Sequence, residues 1–139
     1  MHRPAVLRLA VATLALVAAS AAFAAPNNGK VITATFETLA ASGVAGQAQL
    51  QSMPGGGTLI HGTLRGLQPG VEYVSVIYQN GGCSALAGDA GTQIVRFTAN
   101  PSGDAKFNVK AVPELTGIGS VSIQLVSDQS LQACAAVTP

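Results

Sequence analysis

Short β-prone segments separated by glycine and proline, at near-regular spacing, are the feature that most narrows the folds open to this chain. The sequence holds 16 Gly and 7 Pro, and they cluster between runs rich in Val, Ile and Thr. Lys30–Leu39 is the first such run. In Gly46–Met53, Ala48 and Leu50 alternate with Gln47, Gln49 and Gln51, and Pro54-Gly55-Gly56-Gly57 then turns the chain into Thr58–Leu67. Gln68-Pro69-Gly70 leads into Val71–Gln79, followed by a loop from Asn80 to Gly91. Thr92–Ala99 and Ala105–Val112 read as a hairpin about Asn100-Pro101-Ser102-Gly103-Asp104. Gly119–Val126 and Ser130–Val137 complete the set.

The period within these runs is two. Phe107, Val109 and Ala111 alternate with Lys106, Asn108 and Lys110, and Val121, Ile123 and Leu125 with Ser120, Ser122 and Gln124. That pattern predicts strands with one buried and one wet face. No amphipathic helix is expected beyond the N-terminal region. The expected architecture is all-β: eight strands in two sheets or a flattened barrel. Only 9% of residues are charged while 48% are hydrophobic, the reverse of a disordered chain. A formal net charge of +1 excludes a nucleic-acid binder that works through a field of Lys and Arg.

Residues Met1–Ala24 read as a secretory signal peptide. His2, Arg3 and Arg8 form a positive start, Leu9–Ala19 an uncharged apolar core, and Ala22-Phe23-Ala24 a small-x-small cleavage site. The apolar stretch is about 16 residues, short of the roughly 20 that span a bilayer. Ala25–Gly29 is expected to be a short leader, and residues 30–139 a single domain. After cleavage, five basic residues (Lys30, Arg65, Arg96, Lys106, Lys110) stand against six acidic ones (Glu37, Glu72, Asp89, Asp104, Glu114, Asp128). The Ala-rich signal suggests a bacterial exporter, with the periplasm or the exterior as destination. No membrane span is expected after the signal.

Export places Cys83 and Cys134 in an oxidising compartment, where two cysteines allow one pairing, and a disulfide is predicted. Neither cysteine belongs to a C-x-x-C redox motif. Once His2 leaves with the signal, His61 is the one imidazole and Met53 the one thioether. His61 lies in a strand with no acidic neighbour in sequence to orient it, and reads as structural or surface. No G-x-S-x-G elbow surrounds any serine. Asp89, Asp104 and Asp128 sit at turns, where Asp bonds to local backbone. Tyr73 and Tyr78 read as packing residues.

Gly62-Thr63-Leu64-Arg65-Gly66-Leu67-Gln68-Pro69-Gly70, a strand ending in G-L-x-P-G, is similar to the third strand and turn of copper/zinc superoxide dismutases. Leu131-Gln132-Ala133-Cys134-Ala135-Ala136-Val137 resembles that family's closing R-L-A-C-G-V segment. In the family a loop cysteine after the fourth strand bridges to one in the last strand, and Cys83 and Cys134 fall at those places. The resemblance runs from Val31 to Val137 and implies an eight-stranded Greek-key fold.

The catalytic residues that the resemblance implies are missing. The family's active strand reads H-G-F-H-V-H after the P-G turn, with alternate imidazoles on one face beginning a copper site. Aligned from Gly70 without gaps, the two ligand positions are Ser75 and Ile77; sliding by one residue to match Cys83 gives Val76 and Tyr78. The following loop, Ser84–Thr92, offers no zinc ligand beyond Asp89, and the family's guiding arginine corresponds to Leu131. A redox copper or zinc site needs several N, S or O donors in one place. The expectation is therefore a dismutase-like domain with no catalytic residues, metal or other cofactor. Its role would be binding or structural, with a protein, an envelope component or a small ligand as partner. If Val71–Gln79 turned its apolar face to solvent, an oligomer or partner interface would follow. Two alternatives stay open: an active dismutase with unconventional ligands, and an unrelated immunoglobulin-like secreted module.

Overall fold

A computed structural model describes residues 29–138. The signal peptide expected over residues 1–24 and nearly all of the leader lie outside the described residues. Eight antiparallel strands form one sheet: β1 (Val31–Thr38), β2 (Ala45–Ser52), β3 (Thr58–Arg65), β4 (Glu72–Tyr78), β5 (Thr92–Thr98), β6 (Ala105–Ala111), β7 (Ser120–Leu125) and β8 (Leu131–Ala136). A single 3-10 turn, Leu115–Gly117, interrupts the strand pattern. Seven of these strands fall within the segments expected from the alternation of side chains and the turn residues, and β2 begins one residue earlier, at Ala45.

The strand order is β5-β4-β7-β8-β1-β2-β3-β6. β1 joins the two halves: Val31–Phe36 pair with β2, whereas Glu37 and Thr38 pair with β8. The sheet curls into a nearly closed barrel in which β5 and β6 approach one another. Around the barrel β7 lies beside β4 and β4 beside β5, the return connection of a Greek key.

The hairpin expected between β5 and β6 is not formed. β5 pairs with β4 and β6 with β3, and among the described residues no ladder joins β5 to β6. The turn is local, with Asn100 Oδ1 accepting from the N–H groups of Ser102 and Asp104, but it carries the chain from one half of the barrel to the other. Aromatic rings close the seam instead. Tyr73 stacks on Phe97 at 5.9 Å and Phe97 on Phe107 at 5.6 Å between centroids.

The inward rows build the core. Phe36, Leu50, Ile60, Leu64, Tyr73, Ile77, Val121 and Ile123 are buried together, with Ala34, Ala48, Ala133 and Ala135 as small residues buried among them. Tyr73 is buried with its hydroxyl satisfied, accepting from the Gln68 N–H at 2.9 Å. It ties the Gln68-Pro69-Gly70 turn to the core. On β6 the expected alternation holds, with Phe107 buried and Lys106, Asn108 and Lys110 exposed.

β7 departs from expectation. Ser120, Ser122 and Gln124 are all buried, so the face expected to be wet is covered. The 80–91 loop lies over it, together with a second apolar cluster of Val74, Val76, Tyr78 and Cys83. Both faces of β4 are buried from Tyr73 to Tyr78. Its apolar face is thus packed within one molecule, which removes the basis for an oligomer through this strand.

Candidate functional site

β4 and the loop after it are where the dismutase resemblance places its chemistry. Ser75 and Ile77 point into the barrel: Ser75 is fully buried and Ile77 belongs to the main core. Val76 and Tyr78 point the other way, beneath the loop. The Cys83–Cys134 disulfide is formed, with the Cα atoms 5.9 Å apart, and pins the loop to β8. Leu131, at the position of the family's arginine, packs with Cys134 against the same second cluster.

The polar groups under the loop satisfy one another. The Gln124 side-chain amide donates to the Tyr78 hydroxyl at 2.9 Å and reaches the Ser122 hydroxyl at 3.1 Å. Ser122 donates to the Val76 carbonyl at 3.0 Å. Ser120 donates to the Asn80 carbonyl at 2.6 Å and accepts from the Cys83 N–H at 3.1 Å. Burial makes each of these bonds expensive to leave unmade. The alternation along β7 predicts a solvated stripe at Ser120, Ser122 and Gln124, and the structure buries all three. Their one sequence signal is the placement of Cys83, which brings a loop across them.

Neither register of ligand positions fits a copper or zinc centre. One offers a serine and an isoleucine turned into an apolar core, the other a valine and a tyrosine already held by Gln124. Both sulfurs are in the disulfide. Among the described residues no three His, Cys, Asp or Glu side chains gather as a metal site requires. His61 is exposed on β3, paired across the strands with Gln49 and Asn108 and with no carboxylate in that row.

Asp89 holds the loop. Its Oδ2 accepts from the Asn80 N–H at 2.9 Å and from the Asn80 side-chain amide at 2.7 Å. That amide also donates to the Ser84 carbonyl. Partial desolvation pushes the Asp89 carboxyl up, but hydrogen bonds from Asn80, Gln79 and Gly91 outweigh it and hold the pKa below the usual 3.8. A carboxyl whose folded pKa is depressed stabilises the fold above its unfolded value, and that contribution disappears as pH falls through the folded one. Protection of the Asn80 amide against hydrogen exchange is expected to hold steady above pH 3.8 and to fall in stronger acid. In Asp89→Asn it should be lower throughout and lack that acid step.

Among the described residues one buried side-chain polar atom has no partner. The Ser75 hydroxyl is enclosed in the core without a hydrogen bond, next to a bulge where Ile94 is the extra residue in β5 opposite Ser75 and Val76. An orphan hydroxyl in an apolar core costs about 1–3 kcal/mol. Ser75→Ala is expected to raise stability by about 1 kcal/mol, measured by urea denaturation. No loss of stability is expected, since no bond is broken.

No helix among the described residues is long and apolar enough to cross a membrane. No protein-family model matches the chain, and no curated protein matches it either.

Proposed function

We propose that this chain is an exported, non-catalytic binding domain built on a frame like that of the copper/zinc superoxide dismutases. The observation that carries the reading is on β4: whichever register is used, the ligand positions hold Ser75 and Ile77 or Val76 and Tyr78, and all four are buried in packed surroundings. Two further features support the dismutase-like frame. The disulfide ties the loop after the fourth strand to the last strand, where the family has its own bridge. The strand order also speaks for it. An immunoglobulin constant-type domain would place its first, second, fifth and fourth strands in one sheet, whereas here β1, β2, β3 and β6 run side by side.

A tightly folded, disulfide-bonded domain whose catalytic positions are filled by core residues retains its surface for recognition. Export follows from the signal-like N-terminus and accords with the disulfide. Metal analysis and a superoxide dismutase assay on the oxidised protein test the reading. The expected result is no stoichiometric copper or zinc and no activity above that of free protein controls. Tightly held copper together with superoxide turnover would overturn it.

A further inference from the structure

The outer face of β1, β2, β3 and β6 carries a groove of about 570 Å³, within the roughly 300–1,000 Å³ typical of ligand sites. Strand register builds it. Thr35, Gln47, Thr63 and Lys106 stand in one row across the four paired strands, all of them exposed. Neighbouring strands lie roughly 4.8 Å apart, so this row presents hydroxyl, amide, hydroxyl and ammonium over about 14 Å. Alongside it, Arg65 pairs with Ala45, and Asp104 sits at the groove's edge. Ala45 and Gly46 add almost no bulk, which leaves a trough between the two rows.

The chemistry narrows the occupant. Arg65 and Lys106 offer charge-assisted donors to a carboxylate or sulfate. The threonine hydroxyls and the Gln47 amide both donate and accept, while ionised Asp104 only accepts. An acceptor-only carboxylate beside two cations suits a ligand that carries hydroxyl donors as well as negative charge. The one aromatic residue of the lining, Phe36, is buried in the core, so there is no ring on which a nucleobase would stack.

We propose that this groove binds an anionic carbohydrate, a short sugar chain bearing carboxylate or sulfate groups. Arg65 and Lys106 hold the anionic group, and Thr35, Gln47, Thr63 and Asp104 hold ring hydroxyls. The inference rests on the binding-domain reading above and gives it a ligand class.

The test is an amide-resolved NMR titration of the disulfide-bonded protein with trigalacturonate, a chondroitin sulfate disaccharide, neutral maltotriose and sodium sulfate. Saturable shifts confined to Thr35, Gln47, Thr63, Arg65 and Lys106 are expected with one or both acidic sugars; binding of trigalacturonate shows that carboxylates suffice, and binding of the chondroitin sulfate disaccharide alone points to its sulfate. Affinity should fall at least tenfold in Arg65→Gln/Lys106→Gln, about 1.4 kcal/mol. It should fall equally in Ala45→Leu, which fills the trough without altering charge. Absence of saturation with both acidic sugars overturns the proposal. So does equal affinity for maltotriose, or equal affinity for sulfate ion alone with Ala45→Leu unaffected. Spectra of both variants away from the groove should match the parent and so report intact folding. Metal content and dismutase activity are measured on the same sample. An active copper protein would defeat the non-catalytic reading whatever the titration gives, and a failed titration on metal-free protein defeats the carbohydrate site alone.

Discussion

Replacing both members of the disulfide, as Cys83→Ala/Cys134→Ala, is expected to lower the free energy of unfolding by about 4 kcal/mol. The bridge closes a segment with a sequence separation of 51, and in the chain-entropy treatment that length sets the size of the effect. Four kcal/mol is a large share of the roughly 5–15 kcal/mol by which small domains are stable. It should lower the melting temperature by roughly 15 °C or more. Cys83 also sits in the left-handed backbone region at φ +53° and caps the cluster of Val74, Val76 and Tyr78. Loss of the bridge therefore acts on the folded state too, by loosening the cover over Ser120, Ser122 and Gln124. Urea denaturation of oxidised, reduced and doubly substituted protein measures the effect. Nearly equal midpoints would show that the loop's own hydrogen bonds suffice.

Gly62→Ala is expected to cost about 1–3 kcal/mol through overpacking, a large penalty for one methyl group. Gly62 lies on β3 opposite Phe107 of β6, and a Cβ at this position would run into the Phe107 ring. The ring has little freedom to retreat, because it stacks on Phe97, which stacks on Tyr73. That chain of rings is what holds the barrel closed where hydrogen bonds do not. Phe107→Leu in the same molecule should relieve the clash, so the double variant should lose less stability than the sum of the two single losses. Additive losses would mean that Gly62 matters for its backbone rather than for the ring above it.

The fold was readable because each element is declared locally. Gly46–Met53 and Ala105–Val112 advertise their strands through period-two alternation, and Gln68-Pro69-Gly70 announces its turn. What failed were the non-local choices. Neighbouring strands in sequence usually neighbour in space, yet β5 and β6 each pair elsewhere, since the order of strands is decided by the whole barrel and not by the Asn100–Asp104 turn. Ser120, Ser122 and Gln124 were misread for the same kind of reason. Polar side chains on alternate positions signal water unless another segment supplies their bonds, and here the loop and β4 do so. The lone hydroxyl of Ser75 gives no local sign of its isolation. The groove, likewise, joins residues of four strands that only register brings side by side.

The pairing of β1 with β8 sets the time at which this domain is able to fold. The last strand joins β7 to the first strand in the middle of the sheet, and it also carries one of the two sulfurs. A chain that lacks Leu131–Ala136 lacks the strand that joins β7 to β1, so the two halves of the sheet stay apart until β8 is in place. Glu37 pairs with Cys134, and contacts so far apart in sequence form slowly, which makes this joint a late step in closing the core.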